Sequence, residues 1–310
     1  MYDKVSFIEI TSDNEGQRLD NFLLTRLKGL PKSHLYQLIR KGEIRINKKR
    51  AKPKDRLMTD DRIRLAPIRL AEPNKPVPIS DTMSELLKAC VIFENDHLMI
   101  LNKPAGLAVH GGSAISSGLI ELARQVWPEI KQLELVHRLD RDTSGCIILA
   151  KKTQVLKAMH QLFKNDSLQK TYLALTKGYW PAKLKILDAP LRKHILQSGE
   201  RMVKVQSDGK LAETHVRVKQ RMSDCTLLEI TLKTGRTHQI RVHTQHAGFP
   251  VLGDHKYGDG VFNDFGAHQG LKRMFLHASS LVFNDPVSGE EINITAPLDK
   301  PWLDALQKLA

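Results

Sequence analysis

Apolar positions recur along this chain with two periods, and each change of period marks an element. In "RLDNFLLTRL" (18–27), Leu19, Phe22, Leu23 and Leu27 share one helical face. "PKSHLYQLIRKG" (31–42) places Leu35, Leu38 and Ile39 at helical spacing, with Ser33 as the expected N-cap and Gly42 as the stop. "EIRIN" (43–47) and "DRIRL" (61–65) alternate as strands, with Ile44, Ile46, Ile63 and Leu65 inward and Arg45 outward. Residues 67–80, "PIRLAEPNKPVPIS", hold Pro67, Pro73, Pro76 and Pro78 and read as an extended linker. Further strands are predicted on both sides of a turn at Asn95-Asp96 in "CVIFENDHLMILNKPAG" (90–106), and in "GCIILAKK" (145–152), "TYLALTKGY" (171–179) and "CTLLEITLKTGR" (225–236). "TQVLKAMHQLFKN" (153–165) is an amphipathic helix with Val155, Met159, Leu162 and Phe163 on one side. Thr237 is the expected cap of a helix through "HQIRVHTQHAG" (238–248), stopped by Gly248 and Pro250. "DGVFNDFGAHQG" (259–270) reads as a loop with no assigned role.

Strands predominate, and helices interrupt them without a strict βαβ alternation. The expected fold class is α+β, with a mostly antiparallel mixed sheet. The expected division is a small N-terminal domain over 1–66 with its core at 18–66, a linker over 67–87, and a larger domain over 88–310.

Charge sharpens this picture. The net charge is +14 over 310 residues. Between Arg26 and Arg56, twelve Lys or Arg face two acids, Glu43 and Asp55. An excess concentrated in this way points to a polyanionic partner. No apolar run approaches a membrane span, and "MYDKVSFIEITSDNEG" lacks a basic start and an apolar signal core. Cys90, Cys146 and Cys225 are odd in number and far apart, which fits a reducing cytoplasm.

The densest chemistry lies in "HRLDRDTSG" (137–145). Asp140 and Asp142 lack the neighbouring ligands a metal needs, and Ser144 lacks the GxSxG setting of a hydrolase nucleophile. A carboxylate between Arg138 and Arg141 stays ionised and can act as nucleophile or base. From charge alone, a structural ion-pair cluster is an equal reading. The six histidines between 237 and 280 match no zinc spacing, so no metal is expected.

The same nine residues resemble the signature of the RluA-type pseudouridine synthases. "NKPAGLAVHGG" (102–112), "KTYLAL" (170–175), "LKTGRTHQIRVH" (232–243), "GFPVLGDHKYG" (248–258) and "FLHASSLVF" (275–283) agree in order. Residues 18–66 resemble an αL-type RNA-binding module. This resemblance implies an enzyme that isomerises uridine to pseudouridine in RNA, most simply ribosomal RNA of the large subunit, as a monomer without cofactor. It implies that Asp140 is the nucleophile and that Tyr172 stacks on the uracil and removes the carbon-5 proton. Arg236 is expected to pair with Asp140. Leu232 is expected beside the target base, and Arg138 in the place of the displaced nucleotide. Lys32, Arg40, Lys41, Arg45, Lys48, Lys49 and Arg50 are the expected RNA contacts of the small domain. The alternative is a ribosome-assembly factor that binds RNA without activity.

Overall fold

The first helical stripe buries where its spacing puts it: Leu19, Phe22, Leu23 and Leu27 are all buried in one core. The computed structural model describes residues 4–27, 29–68, 78–111, 117–195 and 201–310, and the chain divides into two compact units, Met1–Val77 and Pro78–Ala310. The proline-rich stretch 69–77 lies outside the described residues.

The first unit runs β1 (Ser6–Glu9), α1 (Leu19–Arg26), α2 (Lys32–Lys41), β2 (Arg45–Ile46), β3 (Lys49–Arg50) and β4 (Arg62–Leu65). Its antiparallel sheet has the order β1-β4-β2-β3. The helix α2 starts two residues earlier than expected. Pro31, at φ −58° and ψ 138°, takes the N-cap position, and Ser33 falls inside the first turn with no capping bond. Gly42 ends the helix at φ 76°, as expected. Asp20 is 2% exposed and accepts bonds from Arg18 and from the Tyr36 hydroxyl at 2.6 Å, which ties α1 to α2. The hydrogen bond from Arg18 holds its carboxyl below the usual value.

The second unit opens with a helix where the linker was expected to continue. Ser80 accepts the Met83 N–H and starts α3 (Asp81–Ala89), whose Leu87 is buried. The chain continues with β5 (Val91–Glu94), β6 (Leu98–Lys103), α4 (Leu119–Val126), β7 (Glu134–Leu135), β8 (Ser144–Ala150), α5 (Thr153–Lys164) and β9 (Gln169–Lys177). Next come β10 (Ile186–Leu187), β11 (Leu191–Ile195), β12 (Arg201–Val205), β13 (Thr214–Arg221), β14 (Cys225–Leu232) and α6 (Gln239–His246). It ends with α7 (Gly260–His268), β15 (Leu276–Asn284), β16 (Glu291–Thr295) and α8 (Lys300–Leu309).

The main sheet has the order β10-β13-β14-β9-β15-β8-β6-β5, with β16 added to β15 and β7 to β8. Every pair is antiparallel except β8 with β15. Alternation along β8 feeds two cores. Cys146, Ile148 and Ala150 enter one with Val155 and Met159 of α5. Ile147 and Leu149 enter the other with Leu119, Ile120 and Ala123 of α4. A strand covered on both faces reads as the continuous apolar run "CIILA".

The segment 259–270, expected to be a loop, is mostly the helix α7. Asp259 accepts the Phe262 N–H at 2.8 Å, and Phe262 enters a core with Trp302 of α8. Gly260 and Gly266 inside α7 weaken its intrinsic helix signal, so this cap and tertiary burial decide the outcome.

The parallel pair sets the floor of the site. Gly145 sits opposite Ala278 at φ +106°, and a Cβ built on it would lie 2.2 Å from the Ala278 carbonyl oxygen. Gly145→Ala is therefore expected to cost on the order of 2–4 kcal/mol, from strain and from separation of β8 and β15. Thermal or denaturant unfolding checks it; a variant as stable as the parent would show that this contact yields freely.

Candidate active site

Asp140 stands in the loop between β7 and β8, and three sets of contacts hold that loop. Lys103, at the end of β6, is fully buried. Its ammonium donates to the carbonyl oxygens of Pro104 and Leu107 at 2.8 Å and of Arg141 at 2.9 Å. Burial pulls its pKa down to about 7, against the attraction of Asp142. The Arg141 carbonyl also accepts the Gly106 N–H at 2.9 Å. At the far end of the motif, Ser144 lies 2.9 Å from His277 Nδ1 and accepts from Arg273 at 2.6 Å. His277 donates from Nε2 to the Ala296 carbonyl, so Nδ1 is the acceptor and Ser144 is spent on structure.

The arginine that meets Asp140 is not the expected one. Arg241 Nη1 donates to Asp140 Oδ2 at 3.0 Å. Its Nε and Nη2 bind Asp254 at 2.7 and 2.8 Å, a two-pronged contact. Burial alone would raise the Asp254 carboxyl, but the Arg241 guanidinium outweighs it and holds the group below the usual value. Arg236 instead lies exposed on the turn after β14, with its Nε donating to the Leu211 carbonyl at 2.9 Å. The reason is the entry into α6. The Gln239 side chain, 2% exposed, accepts from the Arg236 N–H and the Thr234 hydroxyl and donates to the Glu213 carbonyl. That staple starts the helix at Gln239, with His238 rather than Thr237 at its N-cap, in the left-handed conformation at φ 53°. Arg236 stays on the cavity wall without meeting Asp140, while Arg241 is carried one turn inward.

His238 joins the site by the same construction. Tyr257 Oη accepts the Val203 N–H at 3.0 Å and lies 2.8 Å from His238 Nδ1. The opposite nitrogen, Nε2, sits 3.6 Å from Asp140 Oδ1. The two carboxylate oxygens thus face different side chains. The other buried histidines are also bound. His243 contacts the Thr214 hydroxyl and the Ala189 carbonyl, each at 2.9 Å. Among the described residues, no group of three or more His, Cys, Asp or Glu side chains is placed to hold a metal ion.

A cavity of about 70 Å³ opens beside Asp140, and Arg138, Tyr172, Leu232 and Arg241 also line it. Tyr172 comes from β9, in register with Ile230 of β14 and Ala278 of β15. Burial and then the charge of Asp140 push its phenol pKa up, so it stays protonated. Leu232 is buried at the end of β14, and Arg138 is exposed at the mouth. The structure therefore gathers Asp140, Tyr172, Leu232, Arg138 and Arg236 around one cavity, with Arg236 unpaired to Asp140, and adds Arg241, Asp254, His238 and Lys103. One usable signal for the additions was the spacing of His238 and Arg241, three apart at a helix start and hence on one face.

In the first unit, Lys32, Arg40, Lys41, Arg45, Lys48, Lys49 and Arg50 are all exposed. Arg45 is directly opposite Arg50 on one side and Arg64 on the other. Like charges in register oppose folding, so a row of three suits a surface that meets a polyanion.

Two families match this chain. Residues 97–246 match RNA pseudouridylate synthase, and residues 17–63 match the S4 domain. The chain is 48% identical over 309 residues to ribosomal large subunit pseudouridine synthase C of Escherichia coli (strain K12), covering 98% of this chain and 97% of that one. It is 49% identical over 297 residues to the protein of that name from Yersinia pestis, covering 95% and 92%. Among solved structures, human RNA pseudouridylate synthase domain containing 4 superposes with a TM-score of 0.60 at 27% identity, covering 74% of this chain and 95% of that one.

The ion chain predicts unequal effects of its two arginines. Arg241→Ala leaves two carboxylates without their partner and is expected to cost about 3–5 kcal/mol, whereas Arg236→Ala stays within about 0.5 kcal/mol. Because the Asp254 pKa is lowered by folding, its stabilisation is present above the unfolded value near 4 and is lost as pH falls through the folded one. The gap between wild type and Arg241→Ala should therefore shrink in acid. Denaturant unfolding at several pH values measures it; equal costs at both arginines would refute the assignment.

Proposed function

The chain belongs to the RNA pseudouridylate synthase family, with an S4 domain ahead of its catalytic unit, and from that premise we propose how its residues perform the isomerisation. The reaction detaches uracil from the ribose anomeric carbon, turns the base and rejoins it through carbon 5. The carbon-5 proton leaves and the ring nitrogen gains one. Nothing is added and no electrons are transferred overall, so the balance requires no cofactor.

Asp140 is the nucleophile. The observation that carries this role is its carboxylate, held at Oδ2 by Arg241 on the wall of a cavity shared with Tyr172 and Leu232. Orientation by a fixed donor leaves the other oxygen to meet the anomeric carbon. Tyr172 offers its ring to the uracil. Its neutral phenol enters the reaction carrying a proton, so it removes the carbon-5 proton only as it passes its own on. Leu232 packs beside the base. Arg138, exposed at the mouth, takes the place in the RNA stack that the flipped nucleotide leaves. Arg236, whose side chain lies outside the ion chain, contacts phosphate at the rim.

The substrate is large-subunit ribosomal RNA, the RNA in the names of the relatives from Escherichia coli and Yersinia pestis. Lys32, Arg40, Lys41, Arg45, Lys48, Lys49 and Arg50 supply phosphate contacts through the S4 domain. The enzyme acts as a monomer in the cytoplasm. Its three cysteines are free, which suits a reducing compartment.

Asp140→Asn keeps the shape of the side chain but removes the nucleophile. It is expected to lower single-turnover pseudouridine formation by at least about 10⁴-fold, while RNA affinity stays within about threefold. Quantifying pseudouridine in large-subunit ribosomal RNA after incubation checks this. Multiple turnovers by the variant would remove Asp140 from the centre of the mechanism.

A further inference from the structure

A second hollow, about 620 Å³, adjoins Asp140 and Tyr172 on the side of α5 and the start of β9. Its walls carry Lys164, Lys170, Lys233, Arg138 and Arg236, with Asp166 as the acid beyond the nucleophile. Lys170 is 7% exposed, with its ammonium 5.4 Å from the centre of the Phe163 ring. A buried ammonium needs an anion close by. The one near it is shared: Asp166 lies 3.6 Å from Lys170 and 4.0 Å from Lys233. Both distances exceed the roughly 2.7–2.9 Å of a tight charged hydrogen bond. Asp166 itself sits on a left-handed turn at φ 53°, with its side chain 40% exposed. Two ammoniums around one loosely held carboxylate leave an excess positive charge facing the cavity. Burial lowers the Lys170 pKa despite Asp166, as expected where the partner is too weak.

We propose that Lys170 and Lys233 form a phosphate site for the nucleotide next to the target uridine, and that Asp166 bridges the two lysines until RNA replaces it. The proposal rests on the assignment of Asp140 and Tyr172 to the reacting uridine. Its position follows from the strand. Lys170 and Tyr172 are two residues apart on β9, so they share a face and are separated by about 7 Å along it. A phosphate diester carries one negative charge and two free oxygens, which matches two ammoniums with a displaceable carboxylate between them. The site reads no base. It positions the backbone beside the flipped nucleotide.

The sign of the Asp166 effect makes the proposal testable. A carboxylate that merely braces the fold would weaken binding when removed, whereas a competitor for phosphate would strengthen it. The experiment measures the dissociation constant of the full-length protein for large-subunit ribosomal RNA across potassium chloride concentrations. Asp166→Asn is expected to bind several-fold tighter than wild type. Lys233→Gln is expected to bind roughly tenfold more weakly and to lower the slope of log K against log salt by roughly 0.7–1. Asp304→Asn removes a similar charge from a pair with Lys300 and controls for net charge; it is expected to leave affinity unchanged. The proposal is overturned if Asp166→Asn binds no tighter than wild type, if Lys233→Gln keeps the wild-type slope, or if Asp304→Asn tightens binding equally. Pseudouridine is quantified in the same samples. Wild-type protein that binds but forms none would overturn the reaction assignment, while the binding data still decide the phosphate site.

Discussion

Arg241 carries a permanent positive charge at 6% exposure, so the fold must surround it with anions. Asp254 supplies a two-oxygen grip and Asp140 accepts one further bond. Asp254 is fixed in turn by the backbone N–H groups of Lys256 and Tyr257 at 2.9 and 3.0 Å. The aim of Asp140 is therefore set by a chain of contacts that begins in the backbone of the 254–257 turn. A nucleophile on a loop needs such a brace, because loop conformations are otherwise cheap to change. Low exposure strengthens each link, and it also makes the loss of any one costly.

The sheet brings the ends of that chain together. β8 carries the motif out of the core, and β9 and β14 deliver Tyr172 and Leu232 to the same cavity. The parallel contact of β8 with β15 needs the absent side chain of Gly145. Lys103 then fixes the opposite side of the loop through three carbonyl oxygens. A lysine whose pKa is near 7 is an unusual clamp. It holds the loop by donating hydrogen bonds rather than by pairing with a carboxylate.

Most of this could be read from residue order. Period-two and helical stripes located α1, α2, β6, β8, α5, β9 and β14, because burial on one or two faces leaves a direct mark on sequence. The motif "HRLDRDTSG" located Asp140, and the family resemblance of "KTYLAL" located Tyr172. Sequence did not reveal which arginine reaches Asp140. Arg236 and Arg241 are both cationic and close in sequence, and only the Gln239 staple and the left-handed His238 decide which one turns inward. α7 was hidden for a related reason. Its apolar residues are few, and its cap and its packing on α8 are tertiary facts. Asp254 and Lys103 gave little local signal, since the partners that tie them to the site, Arg241 and the Arg141 carbonyl, are 13 and 38 residues away.

The central claim is that Asp140 works because Asp254 holds Arg241, although Asp254 is not proposed to touch RNA. Asp254→Asn tests it most directly, read as the single-turnover rate of pseudouridine formation at saturating ribosomal RNA, with folding verified by denaturant unfolding. If the ion chain aims the nucleophile, a folded variant loses about 10²-fold or more in rate while its RNA affinity stays near wild type. A folded variant that isomerises at the wild-type rate would contradict the account.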